Sequence, residues 1–150
     1  MAQGLGRIRA SARLREELGA ARYREEDRRA VARLAAGALD GSVEGWEEHY
    51  DPEKNSRLDP EQVYVVEEDG DIRATAAVLP LEVFVDGEPV SMGGIADIAT
   101  HPAYRRRGYV GELTRAGLGG MRERGIHLPC SIPSPIPSTA ATAGSSPPKR

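Results

Sequence analysis

The stretch GGIADIATHPAYRRRGYVG, residues 93–111, gives the clearest indication of the fold. It places an apolar strand, an arginine-rich turn and the start of a helix in direct succession. The first turn of a helix has unpaired N–H groups and the positive end of the helix dipole, which together hold phosphates. Gly108 and Gly111 allow the backbone to approach a ligand closely, and the arginines add charge-assisted hydrogen bonds. The pattern predicts a phosphate-binding loop.

The loop differs from two common phosphate-binding sequences. It has neither the Gly-Lys-Ser/Thr of a Walker loop nor the G-x-G-x-x-G of a dinucleotide-binding turn. A bare arginine triplet beside a glycine would favour a solvated basic turn that merely starts a helix. Its position after an apolar strand and a meander of strands favours phosphate binding instead.

The segment before the meander predicts two helices. Acidic residues at 25–27 suit a helix N-terminus, and apolar residues at helical spacing then form one face. The residues of this face are Val31, Leu34, Ala35 and Ala38. Gly41 ends the first helix, and Ser42 caps a second helix that carries Trp46 and ends at Asp51 before a proline.

Strand patterns surround these helices. A short strand over 22–24 precedes them, and strands over 63–66, 72–85 and 90–100 follow as a meander. Asp69 and Gly70 form a tight hairpin turn between the first two strands of the meander.

A third helix is predicted over 108–124, and Gly125 ends it. Its core-facing positions are Val110, Leu113, Gly117 and Met121. Another strand opens at 126–128. The order β, α, α, β, β, β, α, β predicts an α/β domain.

Composition excludes several classes of protein. The net charge of -3 argues against a nucleic-acid binder that relies on bulk positive charge. No apolar run approaches the ~20 residues of a membrane helix, so we expect no membrane partner. A single cysteine, Cys130, excludes an internal disulfide framework and a multi-cysteine zinc site, and we expect a cytoplasmic protein without a metal.

The chain divides into three parts. Residues 1–20 are rich in arginine and weakly helical, and we expect a frayed extension or an early start codon. Residues 21–128 form the α/β domain. The tail 129–150 has no aromatic or acidic residue and six of the eleven prolines lie after Leu128, so we expect disorder there.

The loop and its surroundings resemble the GCN5-related N-acetyltransferases (GNAT). Residues 105–110 match the pattern Arg/Gln-x-x-Gly-x-Gly/Ala of that family. The surrounding sequence GGIADIATHPAYRRRGY is similar to the Eis-like branch (enhanced intracellular survival proteins). The resemblance covers roughly residues 23–128. It implies an α/β GNAT (acyl-CoA N-acyltransferase) fold with a mixed, mostly antiparallel sheet, incomplete at its C-terminal side.

The resemblance also implies a binding site for acetyl-CoA as co-substrate. The strand before the loop would present backbone groups to the pantetheine arm from Ile98, Ala99 and Thr100. The loop and first helical turn would hold the pyrophosphate through Arg105, Arg106, Arg107, Gly108, Tyr109, Val110 and Gly111. One departure matters: Val110 replaces the usual Gly/Ala. Its N–H remains available, but we expect its branched side chain to crowd the cofactor.

The reaction implied is acetyl transfer to the primary amine of a small molecule or peptide. In this branch the proton donor is a tyrosine downstream of the fifth strand, and the C-terminal carboxylate of a longer chain is the base. Tyr104 and Tyr109 lie on the wrong element for that donor, so the catalytic residues stay unassigned.

Other polar residues give weaker signals. Five acids could attract a cationic substrate, although a solvated acidic face is the stronger interpretation for the first four: Asp40, Glu44, Glu47, Glu48 and Asp97. The three histidines have no triad or metal spacing and are interpreted as surface or structural residues: His49, His101 and His127.

The abrupt change at Leu128 suggests a truncated or frameshifted fragment. A one-base shift there, with codons ending mostly in C or T, would restore aromatic residues and the family's tyrosine. A natural linker or tail is the opposing interpretation.

We therefore expect an acetyltransferase by descent with impaired activity. The alternatives are a non-catalytic CoA-binding remnant or interaction module and, more weakly, a nucleic-acid contact. A homo-oligomer is possible in the full-length family.

Overall fold

The computed structural model describes residues 7–9 and 21–132. Three antiparallel strands form the centre of the sheet: β3 (Val63–Glu68), β4 (Asp71–Val85) and β5 (Glu88–Thr100). Two-residue turns join them, and each has positive φ angles, 55° and 81° at Asp69 and Gly70 and 52° and 87° at Asp86 and Gly87. Asp-Gly tolerates this geometry, which matches the twist of a hairpin, so the predicted meander is confirmed.

Short strands extend the sheet on both sides. β1 (Arg7–Arg9) and β2 (Ala21–Arg22) both pair antiparallel with β3. β1 therefore adds part of the expected N-terminal extension to the sheet, and the prediction of a frayed, weakly helical segment is wrong for these three residues. The strand predicted over 22–24 ends at Arg22, because the next residues turn into a 3₁₀ helix at Glu25–Asp27.

The last strand, β6 (Leu128–Ser131), pairs parallel with β5. It runs through the boundary that composition placed after Leu128, and the backbone N–H of Ile132 continues the ladder with a bond to the Ile95 carbonyl at 2.9 Å. The expected disorder is therefore wrong at 129–132. Backbone hydrogen bonds hold this strand, and Pro129 is tolerated because it lies on a strand at the edge of the described sheet. Residues from 133 onward lie outside the described part of the chain.

Three α-helices cover the two faces of the sheet. α1 (Arg28–Ala38) and α2 (Val43–His49) lie on one face, and α3 (Tyr109–Glu123) lies on the other. The Ser42 hydroxyl accepts from the Gly45 N–H at 3.0 Å, so the predicted cap of α2 is confirmed. No helix among residues 21–132 is long and apolar enough to cross a membrane.

The side chains of β3 alternate between the two faces of the sheet and so contribute to the hydrophobic core on each face. Its side chains at 63 and 65 join the core with α1 and α2, and those at 64 and 66 join the core with α3. All four residues are buried, as expected for a strand covered on both faces.

The predicted core face of α3 is confirmed except at its first member. Leu113, Gly117 and Met121 are buried, but Val110 is 43% exposed. Tyr109 takes the inward position at this end of α3 instead, four residues before Leu113 and one helical turn from it.

Candidate functional site

A cavity of about 460 Å³ opens where β5 ends and α3 begins. It is lined by Ala38, Ile98, Thr100, Tyr104, Arg105, Arg106, Arg107, Gly108, Tyr109 and Val110. Eight of the ten residues predicted for the cofactor site therefore lie on its wall. Of the other two, Ala99 is buried, with 1% of its surface exposed, and does not line the cavity. Gly111 follows Val110, the last lining residue, and does not line the cavity either.

Ala38, the last residue of α1, is a lining residue that the sequence did not indicate. The helical periodicity placed it on the buried face of α1. It lies only partly buried because α1 ends there, and its methyl group faces the cavity.

The loop before α3 has a tightly defined backbone. His101 begins a 3₁₀ turn over Pro102–Tyr104, and its Nδ1 accepts from the Ala103 N–H at 3.3 Å. Arg106 and Gly108 have φ angles of 63° and 83°. Glycine adopts this left-handed region at little cost in free energy, whereas arginine is strained in it. The fold of the loop therefore has to stabilise the backbone of Arg106 in this conformation.

Arg107 is bound within the protein. Its Nη1 donates to both carboxylate oxygens of Glu68 at 3.2 Å, and its guanidinium carbon lies 4.5 Å from the centre of the Tyr104 ring. Arg73 contacts the same ring at 4.4 Å. The Tyr109 hydroxyl donates to Glu68 as well. These contacts tie the end of β3 to the start of α3.

Burial and the hydrogen bond to Glu68 raise the pKa of Tyr109. This tyrosine therefore keeps its proton at neutral pH, and its hydroxyl donates a hydrogen bond to the Glu68 carboxylate. The bond connects the start of α3 to the end of β3.

Arg105 and Arg106 differ from Arg107. Within residues 7–9 and 21–132, neither guanidinium has a hydrogen bond or an ion pair, and both residues are exposed on the cavity wall. Two uncompensated positive charges therefore face the cavity, where they can pair with an anionic ligand.

The walls of the cavity also carry hydrogen-bonding groups that have no partner within the described part of the chain. α3 begins at Gly108 without a side-chain cap, which leaves the first N–H groups of the helix beside the arginines. Thr100 Oγ1 is buried and has no hydrogen-bond partner among the described residues. An unpaired buried hydroxyl on the wall is suited to a polar group of a ligand, because leaving it unpaired costs free energy.

Three of the candidate acids line a second depression of about 360 Å³ beside α2, together with Asp51, Arg28 and Lys54. The three are Glu44, Glu47 and Glu48. Lys54 pairs with Glu48 at 2.7 Å and Arg28 pairs with Asp51 at 3.0 Å. These ion pairs support the interpretation of a solvated acidic face.

Asp97 and His49 form a contact that the sequence did not predict. His49 Nε2 and Asp97 Oδ2 are 2.7 Å apart, although the residues are 48 positions apart in the chain. No motif or periodicity links them, so sequence reasoning had no signal for this pair. Of the other histidines, His101 caps the loop and His127 is exposed.

A family model described as an acetyltransferase (GNAT) domain matches residues 20–140. This chain therefore belongs to the GNAT acetyltransferase family, and the expected α/β GNAT fold with a mixed sheet is confirmed.

Solved structures give the same fold at low sequence identity. A conserved protein of unknown function from Enterococcus faecalis matches with a TM-score of 0.59 and 20% identity over 78% of this chain and 29% of that protein. A predicted acetyltransferase from Clostridium acetobutylicum, solved with acetyl-CoA, matches with a TM-score of 0.57 and 19% identity over 82% and 87% of the two chains.

Eis1 from Mycobacterium abscessus matches with a TM-score of 0.54 and 18% identity, over 81% of this chain and 26% of Eis1. The chain thus spans less than a third of the Enterococcus and Mycobacterium proteins. No curated protein matches the sequence significantly.

Proposed function

We propose that this chain binds acetyl-CoA in the cavity between β5 and α3 and transfers the acetyl group to a primary amine. The observation that carries the proposal is the convergence of two unpaired arginines, an uncapped helix start and an unpaired buried hydroxyl on one wall. Arg105 and Arg106 would pair with the pyrophosphate, and the first N–H groups of α3 would donate to it. Thr100 would bond to the pantetheine arm.

The chemistry requires three things of the protein. The thioester must lie beside the acceptor, the amine must lose its proton before it attacks, and the leaving thiolate must gain one. Acetyl-CoA supplies the activated acetyl group when bound. The chain would supply the position, because β5 would hold the pantetheine arm and the loop would hold the pyrophosphate of the same ligand.

We also propose that the chain is an Eis-like domain whose transfer activity is low. The segment GGIADIATHPAYRRRGY supports the assignment to this branch. Low activity is supported by the two tyrosines near the cavity. Tyr109 bonds to Glu68, and the Tyr104 ring contacts the guanidinium groups of Arg73 and Arg107, so both side chains are engaged within the protein.

Calorimetric titration and a thiol-release assay test the proposal. We expect acetyl-CoA to bind with one site per chain and a primary amine to stimulate thiol release above the rate of thioester hydrolysis. Titration with free adenosine diphosphate is the matched control, since it shares the pyrophosphate and lacks the pantetheine arm. Absence of acetyl-CoA binding at millimolar concentration would contradict the proposal.

A CoA-binding module without catalysis is the second candidate. The engagement of Tyr109 with Glu68 favours it, because that contact withholds the hydroxyl from a leaving thiolate. Tight binding of acetyl-CoA without amine-stimulated thiol release identifies this function.

A further inference from the structure

One carboxylate binds the side chains on both sides of the glycine at which α3 begins. It belongs to Glu68, the last residue of β3. Arg107 Nη1 donates to both of its oxygens at 3.2 Å, and the Tyr109 hydroxyl donates to Oε2. Gly108 lies between these two donors in the chain and is the N-cap of α3. Two side chains from the start of α3 therefore converge on a single group of another element.

The sheet itself holds Glu68 in place. Only 13% of its side chain is exposed. Its backbone pairs with Asp71 across the tight turn between β3 and β4. Arg107 and Tyr109 line the cavity, whereas Glu68 does not. Any effect of Glu68 on the geometry of the cavity therefore passes through the two residues that it binds.

The backbone between β5 and α3 needs such a restraint. Arg106 has a φ of 63°, which is unfavourable for a residue with a side chain, and Gly108 has a φ of 83°. No side-chain hydrogen bond caps the start of α3, so its first N–H groups are not fixed in that way. The hydrogen bonds to Glu68 instead fix the residues on both sides of Gly108. They thereby set the directions in which the first N–H groups of α3 point.

The charge of Glu68 separates two effects that this residue can have on an anionic ligand. A carboxylate near the cavity repels an anion, and it also offsets the charge of Arg107, with which it pairs. Electrostatics alone therefore predicts that removal of the carboxylate strengthens phosphate binding. A role in positioning predicts the opposite, because hydrogen bonds from backbone N–H groups depend on their directions. The two effects differ in sign.

We propose that Glu68 is a positioning residue for the pyrophosphate of acetyl-CoA. By binding Arg107 and Tyr109, it holds the start of α3 in the conformation in which the N–H groups receive the phosphate oxygens. This gain in affinity exceeds the repulsion by its own charge. The inference rests on the proposed function, because the proposed function assigns the pyrophosphate to this end of α3.

Calorimetric titrations of two Glu68 variants with acetyl-CoA and with adenosine diphosphate test the inference. Glu68→Gln loses the charge but keeps a carbonyl oxygen that accepts hydrogen bonds, whereas Glu68→Ala loses both. We expect Glu68→Ala to bind both ligands about tenfold more weakly than the wild type, the equivalent of about one charged hydrogen bond. We expect Glu68→Gln to recover most of this loss. Binding by Glu68→Ala that equals or exceeds that of the wild type overturns the inference, as does an absence of recovery in Glu68→Gln.

Asp59→Ala is the matched control for a general loss of stability. Asp59 pairs with Arg124 at 2.8 Å, so this variant also loses an ion pair to α3, at the end opposite to the loop. Thermal unfolding without ligand gives the stability of each variant. We expect Asp59→Ala to bind acetyl-CoA as the wild type does. A loss of affinity as large as that of Glu68→Ala assigns the effect to stability and overturns the inference.

A measurement without ligand follows the loop directly. The backbone amide signals of Gly108 and Tyr109 are compared by nuclear magnetic resonance in the free proteins. We expect both signals to shift or broaden in Glu68→Ala and to stay near their wild-type positions in Glu68→Gln. Unchanged signals in Glu68→Ala overturn the inference.

These outcomes distinguish failure of the inference from failure of the proposed function. The titrations measure binding, so they test the role of Glu68 even where the wild type transfers no acetyl group. Acetyl-CoA binding by the wild type that Glu68→Ala retains in full overturns the inference alone. Binding of neither ligand by the wild type contradicts the proposed function and the inference together.

Discussion

The three consecutive arginines of the loop have two different environments. Arg107 pairs with Glu68 and contacts the Tyr104 ring, whereas Arg105 and Arg106 have no such partner among the described residues and line the cavity. The sequence predicted all three as phosphate ligands, because composition cannot show which guanidinium has an internal partner. Glu68 lies 39 positions away and no local pattern marks it.

The double substitution Arg105→Gln and Arg106→Asn should weaken acetyl-CoA binding by roughly 100-fold, since each exposed charged hydrogen bond that is lost contributes about 1.4 kcal/mol, a factor of about ten. Asparagine is chosen at 106 because it tolerates the positive φ there. Calorimetric titration measures the affinity, and thermal unfolding without ligand should be unchanged. Arg122→Gln, at the far end of α3, is the control. An unchanged affinity would exclude these side chains from the site.

Arg107→Gln should behave differently from that pair. It removes the ion pair with Glu68 and one cation from the Tyr104 ring, so we expect a lower melting temperature of the free protein. Arg107 is about half exposed, so solvent screens the ion pair and the loss of stability should be modest. Thermal unfolding without ligand is the measurement. Full stability of this variant would show that the loop does not depend on Arg107.

Val110 lines the cavity at the position where the family pattern has glycine or alanine. Because its side chain is 43% exposed and lines the cavity, Val110→Ala should enlarge the site without opening a hole in the core. We expect tighter acetyl-CoA binding by about 1 kcal/mol, roughly fivefold, from relieved crowding. Leu118→Ala, an exposed residue of α3 away from the cavity, is the control. Weaker binding by Val110→Ala would show that the isopropyl group contacts the ligand favourably.

At the scale of the element, α3 packs closely on the sheet through its small residues. A Cβ at Gly120 would overlap the Tyr64 hydroxyl, and one at Gly117 would lie 3.1 Å from the Val78 side chain. Gly37 of α1 has nothing within 4 Å of the same position. These glycines look alike in the sequence, but only those of α3 are required by packing.

Gly120→Ala should therefore lower the free energy of unfolding by about 1–3 kcal/mol through overpacking. Gly37→Ala should raise it by about 0.5–1 kcal/mol, because alanine is the better helix former. Urea unfolding followed by circular dichroism measures both. Adding Tyr64→Phe should restore much of the stability of Gly120→Ala, since it removes the overlapping oxygen. Additive effects of the two substitutions would exclude this overlap as the cause.

The elements that sequence predicted well are those fixed by local chemistry. Asp-Gly turns, the Ser42 cap and the alternation of β3 need only neighbouring residues to act. The prediction of β6 over 126–128 began two residues too early and stopped three too soon, because composition was used where parallel backbone pairing with β5 determines the strand. The irregularity of β5, where Asp97 and Ile98 lie opposite the single residue Ala76, could not be predicted from the sequence. It arises from the pairing of β5 with β4, and Asp97 has a positive φ there.

At the scale of the whole molecule, buried tyrosines make stability sensitive to alkaline pH. Burial raises the pKa of Tyr64 to about 12 and that of Tyr50 well above its ordinary value. In the unfolded chain both ionise near pH ~10. Above that pH the unfolded state releases protons that the folded state retains, so the free energy of unfolding falls as pH rises.

For Tyr64 alone the loss should reach about 2–3 kcal/mol by pH 12. Urea unfolding at a series of pH values from neutral upward measures it. Tyr64→Phe should show a shallower decline, and its difference from the wild type should appear only above the ordinary tyrosine pKa. Parallel declines for the two proteins would contradict the assignment to Tyr64.

The single tryptophan of the chain, Trp46, has a spectroscopic consequence. Its indole N–H is fixed by the Asp40 carbonyl at 3.0 Å, and its ring touches the His49 imidazole. All indole fluorescence of the protein therefore originates from one side chain of α2. Movement of α2 against its neighbours changes the surroundings of this indole. The protein thus carries a native optical probe of the packing of α2, which its emission follows without a label.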